Sequence, residues 1–175
     1  REALPRLRSG ASAANVAGTG LECALELPET DPSRTDAVQV FERASREIVA
    51  DPKLPIAADD RSSLHGILVE ARHSAKDEAD AKRTAAEWAA FLEGEASRAA
   101  SPETRVVFDA HRLSAYLEMG EPQRAIRMLE ASERDFPQDY NPPARLAVAL
   151  NEMKQWDAAL SATDRALARA YGPRR

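Results

Sequence analysis

A 34-residue echo in the last third of the chain constrains the fold more than any other feature. The stretch AYLEMGEPQRAIRMLEAS (115–132) is answered one period later by ALNEMKQWDAALSATDRA (149–166). Ala115 recurs as Ala149, Ala125 as Ala159, and Ser132 as Ala166. Self-similarity at such a period marks an array in which each unit buries its apolar face on a neighbour. Small residues returning at fixed places on the second of two helices mark crossing points, where axes ~8–10 Å apart leave no room for bulk. Arrays of this kind present binding surfaces rather than assembled active sites.

Composition agrees with helices. Alanine, the best helix former, is abundant, whereas glycine occurs only seven times and aromatics make up 5%. A length of 175 residues suffices for one domain with a core. The net charge of −5 argues against nucleic acid as a partner, because phosphate backbones select a basic stripe. Arg1, Arg6 and Arg8 make a short basic start, read as a solvated arm. No apolar run approaches the ~20 residues of a membrane span. The single cysteine, Cys23, forbids an intrachain disulfide and sits in the apolar run GLECALEL, where it reads as a buried small hydrophobe. The chain opens on Arg1, which suggests a mature form or a fragment.

Punctuation divides the chain into about eight helices with no credible strand. Residues 1–10 read as an N-terminal tail and 11–175 as one helical-repeat domain. The first helix spans roughly 11–27 and the second roughly 33–50, with Asp31 as cap and Pro32 in the first turn. The loop DPKLPIAADD (51–60) leads to a third helix that ends near Ser74, and a long fourth runs to about Ala99. Ser101-Pro102-Glu103 starts a fifth, expected to continue unbroken to 119, with Val106, Ala110, Leu113 and Leu117 on one face. Gly120 stops it, and Pro122 opens a sixth helix that Pro137 closes. Asn141 is expected to cap the seventh. The eighth starts near Trp156 and ends at Gly172-Pro173.

These residues resemble the tetratricopeptide repeat, a helical pair with a glycine at its turn, small residues at two places on its second helix, and a closing proline. The clearest units are 106–139, with Tyr116, Gly120, Ala125, Ser132 and Pro137, and 140–173, with Ala147, Trp156, Ala159 and Ala166. The second unit departs from the pattern with Lys154 for the glycine and Tyr171 for the proline. A third unit fits 68–96, with Lys76 at the turn and Ala81 as the small contact, but 44 residues separate Ala81 from Ala125. A longer fourth helix would account for the difference. The resemblance implies an all-α, right-handed superhelical array of helical hairpins and a non-catalytic protein- or peptide-binding scaffold. RDFPQDYNPPARLA (134–147) and ALARAYGPR (166–174) also resemble the helical region after a thioredoxin-like domain in some bacterial proteins. That implies the alternative of an accessory domain, for substrate positioning or assembly, in a periplasmic or secreted redox protein.

In such repeats the first helices line a groove. Its candidates are His111, Ser114 and Glu118 from one unit, Arg145, Asn151 and Glu152 from the next, and Glu70 and His73 upstream, with Val107 and Val148 among them. The mixed polar set suits an extended or helical peptide. Paired Lys and Asn for a carboxylate clamp are missing, since those positions hold Ala110, Ser114, Ala144 and Val148. His65 and His73 lie eight apart, not the four that suit zinc, so no metal or cofactor is expected. Asp109 and His111 point to different sides of one helix, and no nucleophile motif accompanies them. Trp156 reads as a core aromatic between two helices. The apolar side of the last helix, with Leu160, Leu167 and Ala170, lacks a polar cap, which points to further chain or a second subunit covering it.

Overall fold

The structure is a computed structural model that describes residues 10–170. Nine helices follow in order among these residues: α1 (Gly10–Glu26), α2 (Arg34–Ala50), α3 (Ala58–Ser74), α4 (Glu78–Arg98), α5 (Pro102–Val106), α6 (Asp109–Met119), α7 (Gln123–Asp135), α8 (Asn141–Glu152) and α9 (Trp156–Arg169). The fold is the expected all-α array of helical hairpins, and the described residues hold no strand. All but Gly10 of the tail expected over 1–10 lies outside the described residues, as do Tyr171 and Gly172-Pro173. The chain falls into two compact units that part between Trp88 and Ala89.

In the first unit α1, α2 and α3 pack on one another. The buried face of α1 is Ala14, Ala17, Leu21 and Ala24, a 3-4-3 spacing that meets Ile48 of α2 and Leu64, Leu68 and Ala71 of α3. Gly20 carries no Cβ because the Phe41 ring of α2 occupies that place. Cys23 falls off this stripe and is exposed, not the buried hydrophobe expected from its apolar neighbours. Arg61, at the start of α3, is buried and donates to the carbonyls of Ile48, Val49, Asp51 and Leu54 at 2.8–3.2 Å. It thereby satisfies the orphan acceptors at the end of α2. Asp31 does not cap α2 directly. It accepts from the backbone N and Oγ of Ser33 and shapes the turn before the helix.

In the second unit α6 and α7 form one hairpin, and α8 and α9 the next, with α8 packed on α6 and α7. The stretch expected as one helix over 102–119 is two. Ser101 and Thr104 cap each other's backbone, starting α5, but it stops after Val106. The break lets Arg105 reach Asp135 at 2.8 Å, at the end of α7. Asn141 is the first residue of α8 rather than its cap. Asp139 accepts from its backbone N and from Nδ2.

The backbone repeats at three turns. Lys76, Gly120 and Lys154 all have positive φ, at 57°, 75° and 58°. At each, the amide of that residue bonds to the carbonyl three before it, and the next amide bonds to the carbonyl five before itself: Lys76 to His73 and Asp77 to Arg72, Gly120 to Leu117 and Glu121 to Tyr116, Lys154 to Asn151 and Gln155 to Leu150. This is the Schellman closure of a helix. Ala71, Ala115 and Ala149 are buried before the turns, and Ala81, Ala125 and Ala159 after them. The hairpin motif therefore includes α3–α4. Much of the extra length before the next turn sits in α4, with 21 residues against 13 in α7, and in the inserted α5.

Candidate functional site

The groove candidates of the second unit lie on first helices and stay at the surface. His111 and Glu118 are half-buried and Ser114 is exposed on α6; Arg145 is half-buried and Val148 and Glu152 are exposed on α8. Repeat equivalence pairs His111 with Arg145, Ser114 with Val148, and Glu118 with Glu152, each 34 apart. Spacings of three and four put each set on one helix face. Asn151 is exposed one position away and lines a different surface, described below. Val107 is exposed beyond the end of α5. In the first unit Glu70 is exposed, and His73 sits 3.3 Å from Glu78 Oε1.

Two side-chain interactions of the second unit escaped the sequence. Asp109 is fully buried, and its Oδ2 accepts from Ser132 Oγ at 2.5 Å. Burial pushes its carboxyl above the usual range, against that hydrogen bond and the charges of Arg112, Arg105 and Arg145. Arg145 thus acts on the interior as well as at the surface. The only signal was Ser132, a hydroxyl where the next unit has Ala166. The second is Glu93, which accepts from Tyr116 Oη and Arg124 Nη2, both at 2.6 Å, while the Arg124 guanidinium lies 4.8 Å over the Tyr116 ring. Burial and the Glu93 bond hold the Tyr116 phenol above its ordinary pKa.

His65 behaves as a structural residue. It is buried, and burial followed by the Arg61 charge lowers its pKa to about 4. Among the described residues no group of three or more His, Cys, Asp or Glu side chains is placed to hold a metal, and no helix is long and apolar enough to cross a membrane.

An apolar groove of about 660 Å³ lies between α8 and α9. Val148 and Asn151 line one wall, and Trp156, Leu160, Thr163 and Leu167 the other. Trp156 is 56% exposed, Leu160 64% and Leu167 49%. The expectation that Trp156 lies in the core is therefore wrong. It is the first residue of α9, and its ring looks over the groove instead of between the two helices. Ala159 and Ala166 are the small residues on the groove floor.

Residues 116–174 match the tetratricopeptide repeat family. No curated protein matches the chain significantly. The matched stretch takes in α7, α8, α9 and most of α6's second half, including two of the three Schellman turns. That family serves in general as a protein-interaction scaffold and is generally non-catalytic. With an all-helical hairpin architecture and this match over its last third, the chain is similar to tetratricopeptide-repeat proteins.

Proposed function

We propose that the chain is a non-catalytic scaffold that binds a peptide or protein segment along the first helices of its repeats. The observation that carries this reading is the pairing of His111 with Arg145 and of Glu118 with Glu152 on the faces of α6 and α8. Each of these side chains keeps access to solvent, while the alanines between them, Ala115 and Ala149, are fully buried. The two glutamates give the turn-proximal end an acidic character, so the segment bound there carries a basic residue at that end.

Peptides selected from a random display library against the purified chain test this. The selected sequences should be basic at one end and lose about tenfold in affinity when Glu118 and Glu152 are both changed to Lys, because two solvent-accessible attractions of ~0.2–1 kcal/mol each become repulsions. Selected peptides indifferent to that double change would overturn the assignment. Arg145 is a poorer probe, because its reversal also disturbs the buried Asp109.

A further inference from the structure

The α8–α9 groove is a second surface, which adjoins the polar face above at Val148. Its wall, Trp156, Leu160, Thr163 and Leu167 on α9 and Ala170 just past the helix end, keeps a 4-3-4-3 spacing. That is the period of a helix seam made to receive another helix. Four turns of seam, ~21 Å at 1.5 Å per residue, suit an occupant of about 14 residues.

The chain itself shows what covers such a surface. One period upstream, the same surface belongs to α6 and α7, and α8 packs on both of them. The two surfaces differ in an ordered way. Among the lining positions, Leu113 becomes Ala147 and Leu129 becomes Thr163, so smaller side chains line the open groove. On the rim, Pro122 becomes Trp156 and Glu133 becomes Leu167, so its wall is more apolar. Upstream, Glu133 ties α7 to α9 through Arg165 and Arg169, both at 2.8 Å. Leu167 replaces that ion-pairing position by an apolar one. Smaller lining residues and a more apolar rim together call for larger aliphatic or aromatic knobs than the Leu146, Ala149 and Leu150 that α8 buries.

Charge selects among occupants. Asp157 and Asp164 are exposed on α9, three residues before Leu160 and Leu167 respectively, and so flank the seam. Two antiparallel copies of α9 paired through this seam would bring Asp164 against Asp164, and the chain carries a net charge of −5. A basic flank is complementary, and a second acidic copy is not.

We propose that the α8–α9 groove docks an amphipathic α-helix of another protein, with large apolar residues at 4-3-4-3 spacing and Lys or Arg on the flank facing Asp157 and Asp164. The test uses a synthetic 18-residue helical peptide with leucines at that spacing and lysines on both flanks. A second peptide carries glutamates in place of the lysines. Exposed Trp156 reports binding directly through a blue shift of its fluorescence, whereas Trp88 is already buried. Saturable 1:1 binding of the lysine peptide is expected, at least tenfold weaker for the glutamate peptide. Leu160→Asp and Leu167→Asp should each weaken it at least tenfold while leaving the helical circular dichroism intact, since both side chains are already half or more exposed. Glu118→Lys with Glu152→Lys should leave it unchanged, which separates this surface from the peptide-binding face. The proposal is overturned by no saturable shift, by equal binding of the two peptides, or by sedimentation showing that the chain alone self-associates through Leu160 and Leu167.

Discussion

At the scale of single residues, the three hairpin turns differ in how well their residue suits the backbone. Gly120 takes φ of 75° at no steric cost, and a Cβ there would meet nothing within 4 Å. Lys76 and Lys154 hold the same left-handed conformation with a Cβ, which disfavours it by ~1–2 kcal/mol. Replacing either by glycine relieves that strain but loosens the unfolded chain by ~0.4–1 kcal/mol. Lys154→Gly and Lys76→Gly should therefore each stabilise the protein by about 0.5–1 kcal/mol in urea unfolding, and Gly120→Ala should destabilise it by about 1 kcal/mol. The three turns were partly legible in the sequence. Gly120 announces itself, whereas the lysines were recognised only by their place in the repeat. A lysine in a left-handed turn has no local signature, and the conformation becomes visible only in the matching pairs of backbone hydrogen bonds.

At the scale of elements, the crossing points decide which helices can meet. Ala125 is wholly buried in α7, so Ala125→Leu should overpack its contact and cost about 1–3 kcal/mol, read as a lowered melting temperature. Ala159 stands at the equivalent place but lines the open groove, so a larger side chain there has room to extend and should cost less. A difference between the two is the measurement that checks this account. Arg61 organises a junction of another kind. Its four bonds hold the end of α2 and the following loop against α3. Arg61→Met should cost about 2–4 kcal/mol in unfolding free energy, because it keeps the aliphatic stem but leaves buried carbonyls without donors. Helix positions were read well from periodicity and prolines. The break between α5 and α6 was not, since Arg105 reaching Asp135, 30 residues on, is a tertiary preference that no local pattern encodes.

At the scale of the whole molecule, the two units carry buried titrating groups of opposite sense. In the first unit, the folded pKa of His65 lies at about 4, below its ordinary 6.5. Its contribution is present above pH 6.5 and is lost as pH falls through that window toward 4, a loss of about 3 kcal/mol if fully expressed. In the second unit, the folded pKa of Asp109 is raised by burial. Its contribution is present below the ordinary carboxylate pKa and is lost as pH rises through the raised value. Hydrogen exchange, corrected for intrinsic rates, should show α3 losing protection on acidification from pH 7 to 4. In Asp109→Asn, the loss of α6 and α7 protection with rising pH should disappear. His65→Leu should remove the acid loss in α3. Neither group was singled out for this by the sequence, because burial is set by what packs over a residue and not by its neighbours in the chain.

What the sequence determined by itself is the repeating helical hairpin and its small crossing residues. These depend on local propensity, capping and a period that one helix pair imposes on the next. The exposed polar positions at 34-residue spacing follow from the same period. What only the tertiary structure decided is which apolar residues are covered. Trp156 and Cys23 looked buried by type and are exposed, while Asp109 and Arg61, charged residues, are buried. Burial is a property of the surrounding elements: Asp109 lies beneath Ser132 of α7, whereas Trp156 stands beside a groove that no described helix fills.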